Sequence, residues 1–287
     1  MRVTSTPYSP VPPSARPAPG QPDATLPGGA FPRPELSAPG TVGGALVARG
    51  LQHSYSGATG QPPALAGVDL AVPPGASVSI MGPSGSGKTT LLHVLAGILR
   101  PTSGTVVWRG EDLAQLSDAR RTRLRRADFG FVFQSGLLLP ELPAEENAAL
   151  GLMVDGVPRA EALARVRPIL DRLGITGLGS RRPGALSGGQ AQRVAIARAL
   201  AGTPGVVFAD EPTGALDSDT GADVMRTLVA ATRAHGAALV VVTHDPQVAR
   251  YCDRTIAMRD GRIVSDASRE NLAPASLAAQ TRHAVRP

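Results

Sequence analysis

The sequence contains few lysines, cysteines and aromatic residues, and it has no long apolar run. Lys88 is the only lysine among 29 lysines and arginines, which suggests a specific need for a compact ammonium group there. Cys252 is the only cysteine, which excludes an intrachain disulfide and a cluster of thiolate ligands. Aromatic residues make up 3% of the chain, too few for the stacking surfaces that bind single-stranded nucleic acid. Because no stretch of about 18 apolar residues occurs, we expect no segment that spans a bilayer unaided.

Proline is concentrated at the N-terminus, where residues 1–43 hold 11 of the 27 prolines and few aliphatic side chains. This composition predicts a disordered tail. The tail lacks the apolar core of a signal peptide, and its prolines interrupt any amphipathic targeting helix. We therefore expect the protein to stay in the cytoplasm.

The net charge is +6, and the densest basic run covers residues 120–126. The run follows Ser117-Asp118, an N-cap signal, so we interpret it as a short helix with a solvated basic face. Such a face suits an acidic partner or anionic lipid. No nucleic acid partner is expected.

Short apolar runs alternate with helical patterns along the rest of the chain, which predicts an α/β fold. The predicted strands are Ala45–Leu51, Val68–Val72, Ala76–Met81, Gly104–Arg109, Phe129–Gln134, Val206–Ala209 and Ala238–Val242. The predicted helices are Thr90–Leu99, Ala191–Leu200 and Asp219–His235, the last behind a Ser218-Asp219 cap. The last two strands are fully apolar, which is typical of a parallel sheet covered on both faces. Residues 143–178 have only helical patterns, which indicates a helical subdomain inserted into the α/β core.

A phosphate-binding loop pattern lies between the strand at 76–81 and the helix that follows. The pattern G-x-x-x-x-G-K-[ST] is filled by Gly82, Pro83, Ser84, Gly85, Ser86, Gly87, Lys88 and Thr89. Glycines let backbone N–H groups turn towards a triphosphate, and the helix points its positive end at the same anion. The predicted ligand is a nucleoside triphosphate with Mg²⁺, with Lys88 on the β and γ phosphates and the Thr89 hydroxyl on the metal. The next residue, Thr90, completes this predicted cofactor-binding set.

Two carboxylates, Asp210 and Glu211, follow the strand at 206–209. Asp210 is predicted to hold Mg²⁺ through its water shell, and Glu211 to orient or deprotonate the water that attacks the γ phosphorus. An acidic pair at a strand end is common in isolation, but behind a phosphate loop it favours triphosphate hydrolysis. A guanine-specific GTPase would need an Asn-Lys-x-Asp motif, which a chain with Lys88 alone cannot contain.

A second glycine-rich helix start lies at Leu186-Ser187-Gly188-Gly189-Gln190. It has the features of another anion-binding helix end, but one monomer has no second triphosphate to place there. With this motif the chain resembles the ATP-binding subunit of an ABC transporter, over roughly residues 44–266. The resemblance implies that Ser187, Gly188, Gly189 and Gln190 form the family signature and that Asp217 ends the D-loop. It also implies that Gln134 is the Q-loop glutamine close to the metal, that His244 is the switch histidine and that Tyr55 stacks on adenine.

The resemblance implies a P-loop NTPase fold with a RecA-like parallel-sheet core, a small antiparallel β-subdomain and an inserted helical subdomain at about 136–190. A C-terminal tail would cover residues 267–287. In this family two such domains sandwich two ATP molecules head to tail, so the implied ligands are ATP and Mg²⁺. The implied catalytic residues are Glu211, His244 and Gln134.

A finer resemblance, in segments such as Pro101–Gly104 and Ala209–Ser218, is to the ATPases of lipoprotein release, macrolide efflux and the cell-division complex. It implies a homodimer on the cytoplasmic face of the cell membrane that powers a permease with an extracytoplasmic domain. Residues 137–147, including Leu138 and Leu139, are expected to meet that permease; the alternative is that their leucines only fill the core of the helical subdomain. One alternative is a soluble ABC-type ATPase that acts on DNA or a protein assembly. Another is ATP cycling that signals through a membrane partner.

Overall fold

The computed structural model describes residues 44–55 and 62–268, so the predicted tail at 1–43 lies outside the described residues, as do residues 269–287. The strands are β1 Leu46–His53, β2 Leu65–Val72, β3 Ser77–Met81, β4 Ser103–Trp108, β5 Glu111–Asp112, β6 Phe129–Phe133, β7 Val206–Asp210, β8 Ala238–Val242, β9 Arg254–Arg259 and β10 Arg262–Ser268. The helices are α1 Lys88–Leu95, α2 Asp118–Asp128, α3 Ala144–Val154, α4 Arg159–Arg172, α5 Gly188–Leu200, α6 Ser218–Ala234 and α7 Pro246–Ala249, with a 3₁₀ turn at Pro183–Ala185.

The larger sheet has the strand order β10-β9-β3-β8-β7-β6. Strands β9, β3, β8, β7 and β6 are parallel, and β10 is the antiparallel partner of β9 at the edge. Every residue of β8 is buried, and in β7 only the terminal Asp210 is partly exposed. The two fully apolar strands therefore lie in the middle of a sheet covered on both faces, as the sequence predicts.

The smaller sheet is antiparallel, with the order β2-β1-β4-β5. Aromatic side chains join it to the parallel sheet. Trp108 at the end of β4 is buried against Phe129 of β6, with ring centroids 5.7 Å apart, and Phe129 contacts Phe208 of β7 at 5.3 Å. These edge-to-face contacts fix the β-subdomain against the core with a few large side chains.

Helices α3 and α4 pack against α5 and form the helical part of the chain. The expected permease surface at 137–147 is only partly exposed. Asn147 is fully buried, and its amide donates to the carbonyls of Leu139 and Leu142 and accepts from the Leu139 N–H. Leu138 packs against the core, whereas Leu137 and Leu139 are exposed. Leu138 and Asn147 thus belong to the interior of the helical part, Leu137 and Leu139 lie at the surface, and contact of this segment with a permease stays a prediction.

Several predicted boundaries differ from the structure because backbone caps, not apolar periodicity, determine where helices begin and end. Helix α1 begins at Lys88 inside the phosphate loop and ends at Leu95, two residues before Gly97 turns the chain with a φ of +63°. Helix α6 is capped by Asp217, whose carboxylate accepts from the Thr220 N–H, and not by Ser218-Asp219. Strand β10 continues to Ser268, beyond the predicted boundary at 266.

The basic run forms α2, and Ser117 caps it as predicted. Its face is not fully solvated, because Arg121 is buried and pairs with Asp118. Arg120 pairs with Glu111 and Arg126 with Asp155. Ion pairs thus neutralise much of the predicted basic surface.

Candidate functional site

The phosphate loop joins β3 to α1 and is confined by the backbone just before β2 and by the backbone of β9. A Cβ atom at Gly87, where φ is +97°, would lie 2.3 Å from the Ala64 carbonyl oxygen, just before β2. A Cβ at Gly82 would lie 2.3 Å from the Met258 carbonyl oxygen in β9. Both positions therefore require glycine, and the loop can turn its N–H groups inwards at the start of α1.

The Lys88 side chain crosses the mouth of this loop. Its Nζ donates to the carbonyl oxygens of Gly82 and Pro83, at 2.9 Å each. The Ser86 hydroxyl is buried and has no hydrogen-bond partner among the described residues. A compact cation, a helix N-terminus and a buried hydroxyl without a partner together fit an anionic group such as a phosphate.

Beside the loop is an open cleft of ≈ 620 Å³, and it brings together most of the predicted site residues. Those that line it are Tyr55, Ser84, Gly85, Gly87, Lys88, Thr89, Thr90, Asp210, Glu211 and His244. Ala64 and Val242 also line the cleft, and neither is among the predicted site residues. Val242 ends an apolar strand beside the carboxylates, which could have indicated it, whereas no local pattern marks Ala64.

Asp210 and Glu211 stand at the carboxyl end of β7, where ligands of parallel sheets usually bind. Burial is the largest influence on Asp210 and raises its pKa, while the charges of His93 and Lys88 lower it and Glu211 raises it. A cation beside Asp210 would offset the cost of burying its negative charge. The Asp210 carboxylate is therefore suited to facing a metal ion.

The Glu211 carboxylate is held by two residues that follow β8. The Thr243 hydroxyl donates to Oε2 at 3.3 Å, and His244 Nδ1 lies 2.8 Å from Oε1. The hydrogen bond and charge of Glu211 raise the pKa of His244. Glu211 has a φ of +48°, a left-handed conformation that is strained for a side chain of this size. Its N–H donates to the Val242 carbonyl at 2.9 Å, which fixes this strained position.

Tyr55 follows β1, and its ring borders the cleft. The hydroxyl forms a hydrogen bond with the Thr90 hydroxyl at 3.0 Å, and the ring lies edge-on to His53 with centroids 4.8 Å apart. Tyr55 is still 52% exposed. An oriented and partly exposed aromatic ring suits stacking on a planar group such as a nucleobase.

Gln134 and Asp217 do not line the cleft. Gln134 directly follows β6, and its amide lies against Gly214, where a Cβ would be 2.7 Å from Nε2. Gly214 lies three residues after Glu211, so Gln134 contacts the loop that follows the two carboxylates. Asp217 caps α6, and hydrogen bonds from the Thr220 backbone and side chain lower its pKa.

The signature residues form the N-terminus of α5 and lie outside this chain's own cleft. Ser187 and Gln190 form a capping box, in which the Gln190 N–H donates to Oγ at 3.2 Å and the Ser187 N–H donates to Oε1 at 2.9 Å. Cβ atoms at Gly188 and Gly189 would lie 3.0 Å from Leu216 and 2.6 Å from Thr220, respectively. The start of α5 thus packs against the start of α6. The N–H groups at the start of α5 are not part of the cleft lining.

The sequence model of the ABC transporter family matches residues 65–214, which include the phosphate loop, the signature and both carboxylates. The chain belongs to this family. It is 46% identical over 218 residues to the lipoprotein-releasing system ATP-binding protein LolD 2 of Caulobacter vibrioides, covering 76% of this chain and 96% of that protein. It is 45% identical over 231 residues to the pyoverdine export ATP-binding/permease protein PvdT of Pseudomonas syringae pv. tomato, covering 79% of this chain and 35% of that longer protein.

Two solved structures of ABC cassettes have the same fold. The dimeric post-hydrolysis structure of the cassette MJ0796 bound to ADP and Pi is 38% identical, with a TM-score of 0.70 over 78% of this chain and 98% of that one. The protein cbiO1 of Clostridium perfringens, part of the ABC transporter complex cbiONQ, is 31% identical, with a TM-score of 0.72 over 79% of this chain and 89% of that one. The predicted P-loop NTPase fold is confirmed. The chain is an ATPase that powers a membrane permease, and these relatives do not favour a DNA-directed role.

Proposed function

We propose that the chain hydrolyses ATP in the cleft around Lys88, with Glu211 as the base that orients and deprotonates the attacking water. The supporting observation is the Glu211 carboxylate, which Thr243 and His244 hold at the mouth of the phosphate loop, beside Asp210. Lys88 would move from the loop carbonyls to the β and γ phosphates. His244, with its raised pKa, would donate a hydrogen bond to Glu211 and keep the carboxylate oriented.

We propose Mg²⁺ as the metal, with the Thr89 hydroxyl and Asp210 as the cleft groups that would hold it, and with Gln134 joining them once its amide turns from Gly214 towards the cleft. Among the described residues no cluster of three or more acidic, histidine or cysteine side chains could hold a metal ion alone. The oxygen donors of Thr89, Asp210 and Gln134 suit Mg²⁺, which keeps water and phosphate oxygens as further ligands. When bound, Mg²⁺ neutralises charge on the transferred phosphoryl group.

We also propose that two copies complete each other's sites. The supporting observation is that Ser187 to Gln190 lie outside the chain's own cleft while forming an anion-binding helix end. A relative of known structure, MJ0796, is described as dimeric. The Ser187 hydroxyl and the N–H groups of Gly188 and Gly189 would then contact the triphosphate of the partner subunit.

For the membrane partner, we propose an export permease, because lipoprotein release and pyoverdine export are the named activities of similar proteins. The extracytoplasmic domain proposed for it rests on the finer resemblance in segments such as Ala209–Ser218. No helix in residues 44–55 and 62–268 is long and apolar enough to cross a bilayer. As the ATP-binding part of such a complex, the chain would lie at the cytoplasmic face of the membrane, bound to its permease. Co-expression with the permease should move the chain into the membrane fraction, and equal membrane content without the permease would contradict this.

The catalytic proposal is tested with Glu211→Gln and Lys88→Ala, and with Glu141→Gln as an exposed control. Glu211→Gln should bind ATP with a Kd within about threefold of wild type and lower kcat by about 10²–10⁴-fold, because only the base is lost. Lys88→Ala should instead weaken ATP binding by about 10–100-fold, since a charge-assisted hydrogen bond to phosphate contributes about 1.5–3 kcal/mol. Glu141→Gln should behave as wild type. A Glu211→Gln variant that hydrolyses ATP at the wild-type rate would refute the role of this residue.

A further inference from the structure

Side chains of α5 hold the backbone on both sides of Gln134. The Gln192 amide donates from Nε2 to the Phe133 carbonyl at 2.9 Å. The Arg198 guanidinium donates from Nη2 to the Gly136 carbonyl at 2.6 Å and from Nη1 to the Leu137 carbonyl at 2.7 Å. Gln134 thus lies between the Phe133 carbonyl and the carbonyls of the Gly136-Leu137 turn, and all three donor nitrogen atoms belong to α5.

The backbone held by Arg198 is in an unfavourable conformation. Gly136 has a φ of +67°, and Leu137 follows with a φ of +47°, which a leucine rarely adopts. Leu137 is 57% exposed, so packing contributes little to holding it there. Two hydrogen bonds from one planar guanidinium can hold this turn, because the fork fixes both carbonyls relative to each other.

Arg198 makes these contacts without an acidic partner among the described residues. Burial lowers its pKa, and no carboxylate there acts against that effect. Arg193, on the same helix, differs: its guanidinium pairs with Asp223 and donates to the Leu173 carbonyl at 3.0 Å. A half-buried arginine with backbone carbonyls as its partners is suited to shaping a loop and not to neutralising a charge.

We propose that Arg198 is a positioning residue for ATP hydrolysis, which places Gln134 through the Gly136-Leu137 turn while Gln192 fixes the other side. This inference rests on the proposed role of Gln134. Helix α5 begins next to Ser187, so the residues that would contact the partner's nucleotide and those that hold Gln134 belong to one rigid element. A movement of α5 would reach Gln134 through three hydrogen bonds.

The first measurement follows hydrogen exchange in the full-length chain without nucleotide. Arg198→Gln should speed amide exchange in residues 134–139, because the turn loses both of its donors. Arg193→Gln, the matched control on the same helix, should leave that segment unchanged even where it lowers Tm. Unchanged exchange in Arg198→Gln, or equally fast exchange in both variants, would overturn the proposal.

The second measurement is a double-mutant cycle on ATPase activity. Arg198→Gln should lower kcat by about tenfold with the KM for ATP nearly unchanged, as expected for a misplaced group near the reaction. Arg198→Lys, which keeps the cation but not the fork, should recover part of this loss. The double variant Gln134→Ala/Arg198→Gln should match Gln134→Ala within about twofold.

The outcomes of the cycle separate the two hypotheses. Independent, multiplicative losses would show that Arg198 does not act through Gln134, and this inference would fail while the role of Gln134 stands. A wild-type kcat in Gln134→Ala would refute the proposed role of Gln134, and the positioning role would fail with it, although Glu211 would remain the candidate base.

Discussion

Alanine at two glycines of the phosphate loop should have different effects, although both glycines have positive φ. Gly85 has a φ of +78°, and a Cβ there would have no heavy atom within 4 Å. Gly87 has a φ of +97°, and its Cβ would lie 2.3 Å from the Ala64 carbonyl oxygen. The pair therefore separates backbone strain, which both variants share, from collision, which only Gly87→Ala has.

The magnitudes follow from these two contributions. A left-handed L-residue costs about 1–2 kcal/mol, which is the expected loss in the free energy of unfolding for Gly85→Ala. In Gly87→Ala the contact is about 1 Å shorter than ordinary van der Waals contact, and such overpacking adds about 1–3 kcal/mol. For a domain of this size each kcal/mol lowers Tm by about 2–4 °C, so we expect drops of about 2–8 °C for Gly85→Ala and about 4–20 °C for Gly87→Ala.

Calorimetric melts of the two variants and the wild type test this directly. Titration of the folded Gly87→Ala protein with ATP should also show weaker binding, because relief of the collision moves the backbone N–H groups at the start of α1. Equal Tm values for the two variants would refute the argument. That result would mean that the Ala64 backbone gives way easily and does not shape the loop.

Two further predictions concern the partner subunit and the switch histidine. Ser187→Arg and Lys88→Ala subunits should each be inactive alone but recover part of the ATPase activity when mixed, because each heterodimer contains one intact composite site. Wild-type activity of either variant alone would contradict a shared site. NMR titration should place the pKa of His244 above its ordinary value of 6.5, and Glu211→Gln should return it towards that value. The His244–Glu211 contact then stabilises the fold fully below pH 6.5, and this stabilisation is lost as the pH rises through the raised pKa of His244. A measured pKa of His244 at or below 6.5 would refute the contact.

The sequence predicted the parts of the site that are contiguous in the chain. The phosphate loop, the carboxylates after β7 and the glycines before α5 each combine several informative residues within a short stretch. The contacts between distant segments were not predicted. Ala64 against Gly87 and Arg198 against Leu137 depend on backbone positions that only the folded sheet and helices bring together. The structural role of Asn147 was not predicted for the same reason, because its partners are backbone groups of Leu139 and Leu142, which no sequence pattern marks.

The single lysine has a practical consequence for chemical labelling. Lys88 Nζ lies in the mouth of the phosphate loop, and every other basic side chain that carries a full charge at neutral pH is an arginine. Acylating dyes, amine-directed cross-linkers and coupling to activated resins can therefore attach only at the α-amino group or within the nucleotide cleft. Attachment through lysine would block ATP, and protection by ATP against acylation would measure occupancy of the cleft with no competing side-chain amine.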